Sequence, residues 1–229
     1  MLKKKMFRDI RKNLSQFVAI FLMVFLGILV YAGIRSYMDG MKETADVFYK
    51  ENNLQDLNML GYGFSLDDLN KVKQIKNVQN AERKLTLMAK MESDEDRTLQ
   101  VNFIEANNIS KFYVMDGMEF DINNDGVWMD NFYAKNNNLI GDDITIKYDG
   151  VSFTRKIVGL INVPDHVYDI KDESELFPTH DNYGFVYLSV NSFPEEYITN
   201  NIMKEYNLDS KEDLMLYMSD YNYKDYITY

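Results

Sequence analysis

Between Lys12 and Arg35 the chain carries no ionisable side chain. The run Leu14–Ile34 reads LSQFVAIFLMVFLGILVYAGI, and 13 of its residues are Leu, Ile, Phe or Val. At about 1.5 Å per residue it spans roughly 31 Å, against a hydrocarbon core of about 30 Å. A helix that is apolar on every face belongs in lipid or in a very large core, so the pattern predicts a transmembrane helix over 14–35. Upstream, Leu2, Met6, Phe7, Ile10 and Leu14 fall near helical spacing with cations between them. That predicts an amphipathic helix over 1–13, lying in the headgroup plane. Downstream, Tyr37, Met41, Ala45 and Phe48 share one helical face. The span is therefore expected to continue as a stalk to about residue 53, with Gly40 a tolerated weak point.

Beyond the stalk the period changes. Gln55–Leu60 reads as a short strand, and Ser65-Leu66-Asp67-Asp68 as a capping box opening a helix with Leu66, Leu69, Val72 and Ile75 on its apolar face. Val78–Met91 and Thr98–Ile104 are strands about a turn at Ser93–Asp96, and Leu99, Val101 and Phe103 alternate with polar neighbours. Val127–Asp130 is a short strand followed by one or two helical turns over Asn131–Asn138. Asp149-Gly150, between ITIKY and VSFTRKIVGLI, predicts a hairpin, because a type I′ turn needs positive φ at both central residues. Pro164 and Pro178 bracket a loop, Phe185–Val190 is a strand, Pro194–Asn207 a helix, and Ser210 caps another. The expected class is α+β: one N-terminal transmembrane helix, then a mixed domain over 36–229 with antiparallel strands, in one lobe or two.

Charge sets the direction of the span. Lys3, Lys4, Lys5, Arg8, Arg11 and Lys12 precede it, opposed only by Asp9. Residues 1–34 thus carry +5 of a total of −11, leaving −16 for the rest. The positive-inside rule places the N-terminus in the cytoplasm and residues 36–229 outside, with Arg35 at the outer boundary. A cleaved signal peptide is the rival reading. Its apolar region usually runs about 7–15 residues, and Tyr31-Ala32-Gly33 is a poor cleavage site. An acidic outer surface repels nucleic acid. With no cysteine there is no disulfide framework and no thiolate metal site.

Candidate chemistry is sparse. The chain has no phosphate-binding loop, no H-E-x-x-H and no G-x-S-x-G, so no catalytic, cofactor-binding or metal residue is assigned. His166 and His180 read as ordinary surface histidines among acids, and Glu92–Asp96 as an acidic hairpin tip. Asp121-Ile122-Asn123-Asn124-Asp125-Gly126 matches the start of an EF-hand loop, but position twelve is Phe132 in place of a bidentate carboxylate. An Asx-rich turn is expected instead. Gly27 and Gly33 are too far apart for a G-x-x-x-G packing face.

Several stretches together resemble the N-terminal part of FtsX-like permeases of the MacB-type ABC transporter class. They are the basic start and span, GIRSYMDGMKETADVFYKENNLQDLNML, then VWMDNFYAKNNNLIGDDITI and KIVGLINVPDHVY, in that order. Gly141-Asp142 matches that family's Gly-Asp before a strand; Val158-Gly159 and Pro164 match its Val-Gly pair and later proline. The resemblance implies that these five residues are fold determinants within a MacB-like core. It implies a cytoplasmic ATPase subunit, a second permease copy or homologue, and the lipid bilayer as partners, with ATP hydrolysis residing in the ATPase. The implied function is mechanotransmission, or export of peptide- or lipid-type substrates. Permeases of this family have four spans and this chain carries the first, so a fragment is expected, with later spans beyond Tyr229. The alternative is a self-contained membrane-anchored binding or sensor module, with a tethered enzyme a distant third.

Overall fold

The computed structural model describes residues 2–61, 64–166, 180–194 and 197. The chain divides into two compact units, Met1–Glu51 and Asn52–Tyr229.

The first unit is two helices in series. α1 (Leu2–Lys12) ends in Arg11 and Lys12, cations suited to the negative end of a helix dipole. At Asn13 the ladder tightens: its N–H bonds Ile10 O at 3.2 Å, and its own carbonyl accepts from Gln16 and Phe17. α2 (Leu14–Glu51) then runs for 38 residues, about 57 Å, without interruption. Gly40 does not break it; the Thr44 hydroxyl bonds the Gly40 carbonyl at 2.9 Å. The predicted span and stalk are one helix. Among the described residues, α2 is the helix long and apolar enough to cross a membrane, a requirement that an anchor and a signal sequence both meet.

The second unit begins in irregular chain. Gln55–Leu60 is not a strand: it belongs to no ladder, the Gln55 N–H donating to Ser110 Oγ at 3.2 Å, and Leu57 and Leu60 are 77% and 91% exposed. Its apolar residues gave it a strand-like pattern, but a strand exists only with a partner ladder. α3 (Leu66–Lys73) starts as predicted. The Asp68 N–H donates to Ser65 Oγ at 3.1 Å, and Asp68 Oδ2 accepts from both the N–H and the hydroxyl of Ser65. Those two bonds hold the Asp68 carboxyl below its usual pKa. Of the predicted apolar face only Leu69 is buried.

Seven strands follow: β1 (Lys84–Met91), β2 (Asp94–Ile104), β3 (Tyr113–Gly117), β4 (Val127–Asp130), β5 (Asp143–Tyr148), β6 (Val151–Asn162) and β7 (Tyr183–Ser189), with the short helix α4 (Asn131–Asn136) after β4. They lie in the order β3-β6-β4-β7-β2-β1-β5, and β5 also pairs β6. That last pairing closes the sheet. Val151–Lys156 of β6 pairs β5, while the second half of the same strand pairs β4 and β3. Closure into a small barrel gives β1, β2 and β4–β7 a neighbour on each side over at least part of their length, with β1 meeting β5 only at Lys90 and Met91, and β3 lies on the flank of β6.

The sheet departs from expectation in two ways. The β1–β2 turn is Glu92-Ser93, and Asp94 already lies on β2; between the Lys90↔Thr98 and Met91↔Asp94 pairs, residues 95–97 have no counterpart. This bulge bends the end of β1 onto β5, where Lys90 and Met91 meet Lys147 and Ile146. Strands also run parallel where antiparallel pairs were expected: β2 with β7 and β4 with β6. The sheet is therefore mixed. The Asp149-Gly150 hairpin forms as read, with φ of 45° and 83° and Tyr148 paired to Val151.

Inside the barrel, Leu99, Val101 and Phe103 meet Met129, Ile146 and Leu188, all at most 1% exposed. A second cluster on the outer face joins Phe112, Trp128, Ile161, Phe185 and Tyr187. α4 plugs one side. Asp130 caps it by accepting from the Phe132 and Tyr133 N–H groups at 3.2 and 3.0 Å, and the fully buried Tyr133 hydroxyl donates to Met91 Sδ. The predicted loop between Pro164 and Pro178 falls largely outside the described residues. So do the helices predicted at Pro194–Asn207 and from Ser210.

Candidate functional site

Strand alternation sends Leu99, Val101 and Phe103 inward, and Thr98, Gln100 and Asn102 to the outer face. There the cross-strand partners of Gln100 and Asn102 on β1 are Met88 and Thr86, and their parallel neighbours on β7 are Phe185 and Tyr187. Asn102, fully buried, satisfies its amide locally: Oδ1 accepts from Thr86 Oγ1 at 2.9 Å and from Gln100 Nε2 at 3.3 Å, and Nδ2 donates to Val186 O. The Tyr183 hydroxyl donates to Gln100 Oε1 at 2.9 Å.

A turn closes over this ladder after β6. The His166 N–H returns to Val163 O at 3.2 Å with Pro164 at the second position, where its fixed φ suits the turn. The turn lays the His166 ring on Phe185, with centroids 4.4 Å apart and planes at 22°. His166 Nε2 is then 3.4 Å from Gln100 Nε2 and 3.9 Å from Asp165 Oδ1. Lys84 Nζ, from the start of β1, stands 3.5 Å from Asp165 Oδ2 and over the Tyr187 ring. Asp165 Oδ1 is buried and accepts no hydrogen bond. The cluster Lys84–Asp165–His166–Gln100 offers donors and acceptors of both signs. The Tyr183 hydroxyl is bonded into it through Gln100 Oε1, and Thr86 Oγ1 supports the adjoining Asn102. His166, expected to be an ordinary surface histidine, is instead packed with its side chain only 12% exposed.

The other predicted residues are dispersed. Gly141 takes φ +83° just before β5, a backbone angle natural to glycine. Asp142 next to it accepts from the Ile157 N–H at 3.1 Å, which ties the start of β5 to the middle of β6. Gly159 lets β6 pass the Trp128 indole, for a Cβ there would come within 2.6 Å of Trp128 Cδ1. Val158 packs against the second hydrophobic cluster. Gly141, Asp142, Val158, Gly159 and Pro164 thus shape β5, β6 and the turn after them, and only Pro164 adjoins the polar cluster. Lys3, Lys4, Lys5, Arg8, Arg11 and Lys12 lie on α1, and Arg35 on α2, where it pairs the exposed Asp39 at 3.7 Å.

His180 is the second histidine against a carboxylate. Its Nδ1 is 3.8 Å from Asp130 Oδ2, and its ring stacks on Phe132. Asn137 donates to the His180 and Asp181 carbonyls, so this contact fastens the entry of β7 to α4.

The Asp121–Gly126 loop turns its polar groups on itself. Asp121 Oδ1 accepts from the Asn123 N–H at 2.9 Å, and Asn124 Oδ1 from the Gly126 N–H at 2.7 Å. These are Asx turns, and Phe132 lies in α4 with its ring half exposed. Calcium at millimolar concentration is expected to leave the melting temperature unchanged. A site with a micromolar Kd would stabilise the fold by about 4 kcal/mol at that concentration, and a calcium-dependent rise in a thermal scan would restore the EF-hand reading.

No family model, no curated protein and no solved structure matches this chain.

Proposed function

We propose that the chain is the N-terminal part of a membrane permease subunit of the FtsX/MacB type. On this reading it passes motion from a cytoplasmic ATPase partner to a domain outside the membrane. The observation that carries the reading is α2, in which an uncharged span and a polar stalk form one unbroken 38-residue helix. A passive anchor needs only the apolar 21 residues or so that cross lipid; a further four turns of helix suit a lever. The order of the sequence motifs supports the same reading. The cations Lys3–Lys12 support a cytoplasmic N-terminus on the ATPase side, with α1 suited to anionic lipid there.

A second reading is favoured by the half-buried polar cluster at Lys84, Asp165, His166 and Gln100: an anchored module that binds a ligand without any ATPase. Orientation is tested first, and ATPase association then separates the two readings. A reporter that folds only in the cytoplasm, fused after Tyr49, is expected to be inactive, and one that folds only outside to be active; the reverse pattern overturns the orientation. The full-length protein, purified gently from its native membrane, is expected to bring ATP hydrolysis with it. Replacing residues 1–34 by an unrelated anchor of the same orientation is expected to abolish that association. If no ATPase activity accompanies the unaltered protein, the anchored-module reading stands.

A further inference from the structure

The sheet decides which nitrogen of His166 carries a proton. Asn102 Nδ2 donates to the Val186 carbonyl, which can only accept, so Asn102 Oδ1 must face Thr86 and Gln100. Gln100 therefore turns its amide nitrogen to Asn102 Oδ1, at 3.3 Å, and its oxygen accepts from the Tyr183 hydroxyl. The other N–H of that amide is left for His166 Nε2, at 3.4 Å. A donor there requires a lone pair on Nε2, so the neutral ring holds its proton on Nδ1. Each orientation follows from the one before it, starting at a backbone carbonyl that cannot turn.

Protonation reverses the contact. An imidazolium donates from both nitrogens, which sets N–H against N–H between His166 and Gln100. Asp165 Oδ1 lies 3.9 Å from the same ring nitrogen, buried and accepting no hydrogen bond. A shift of roughly 1 Å makes a charge-assisted bond to it and carries the ring off Gln100. The other titratable groups around the ring, among the described residues, are Lys84 of β1, 3.5 Å from Asp165 Oδ2, and Tyr183 and Tyr187 of β7. Lys84 keeps the Tyr187 ring beneath it when Asp165 is shared.

We propose that the turn 163–166 is a proton-operated latch. Neutral His166 holds it on the β2–β7 face through Gln100, and the protonated ring is handed over to Asp165. Histidine is the side chain whose charge changes between about pH 5 and 8, so acid around the domain releases the latch and neutral solution closes it. The device serves a permease or an anchored module alike.

The chain has only two histidines, which makes the test direct. Full-length protein in detergent micelles, with nitrogen-15 in its histidines and glutamines, is followed by NMR from about pH 8 to about pH 5, and His180→Gln tells the two rings apart. At the alkaline end the wild-type His166 ring is expected to be protonated on Nδ1 and bare on Nε2. A nuclear Overhauser contact between that ring and the Gln100 side-chain amide is expected there, and to weaken at least fivefold at the acid end. Asp165→Asn is expected to raise the proton concentration at the midpoint of that change at least fivefold, because the released ring loses its carboxylate. A proton on Nε2 at the alkaline end overturns the latch, and that readout needs no substitution at the site. A Gln100 contact that persists in acid overturns the release. An unchanged midpoint in Asp165→Asn overturns the handover to Asp165.

Discussion

Replacing Phe103 by alanine is expected to lower the free energy of unfolding by about 3–5 kcal/mol, a large share of the roughly 5–15 kcal/mol that holds an ordinary domain together. Phe103 sits on β2 with no exposed surface, inside the barrel, its ring edge-on to Phe193 at 4.9 Å. β2 is paired here on both sides, to Leu85 of β1 and Leu188 of β7, and cannot draw inward without breaking ladder bonds, so the vacated volume stays open and its full cost is felt. Met88→Ala, on the neighbouring strand but 52% exposed, is expected to change stability by less than about 0.5 kcal/mol. Trp128 is the one tryptophan and is fully buried. Its fluorescence during urea unfolding of the full chain in detergent reports both variants. Similar midpoints for the two would mean that the barrel interior is not the core.

What could be read from the sequence was local. The helix-cap bonds of Ser65 and Asp68, the positive φ pair at Asp149-Gly150, and the alternation of Leu99, Val101 and Phe103 each depend on residues within a few positions of one another. Composition and length predicted α2, since no other structure keeps a backbone satisfied across so many uncharged residues. The missed features are long-range. β3 was overlooked because its bulge at Met115 and its Gly117 hide the two-residue period. The parallel pairings join strands such as Thr98–Ile104 and Tyr183–Ser189, far apart in the chain, and no neighbouring residues encode them. Gln55–Leu60 shows the converse: a strand-like pattern without a partner does not make a strand. The polar cluster was half legible. The polar residues Thr98, Gln100 and Asn102 marked an outer face, but nothing in the sequence places the His166 turn over Phe185.

The permease reading depends on stiffness, and stiffness can be removed at one place. Replacing Tyr37-Met38-Asp39 by three glycines, next to Gly40, makes four consecutive glycines just beyond the span. It is expected to cost about 1–2 kcal/mol of helix propensity and removes the Arg35–Asp39 pair. No side chain of α2 is buried in this stretch, so nothing else holds it helical, and a flexible joint forms between span and stalk. A lever with such a joint still lets the cytoplasmic partner turn over ATP, but the motion dissipates at the membrane surface. In membranes containing the complete permease and its ATPase, hydrolysis is therefore expected to persist at wild-type rate while the outward task falls at least tenfold. Insertion of the variant is checked by the reporter after Tyr49. An anchored binding module responds differently, since its domain needs only a tether, and the glycines leave its output unchanged. A triple alanine replacement at the same three positions separates the joint from the side chains: alanine keeps the helix and is expected to keep the output. If the glycine variant performs as well as wild type, α2 is not the relay, and the lever mechanism fails even where an ATPase partner is found.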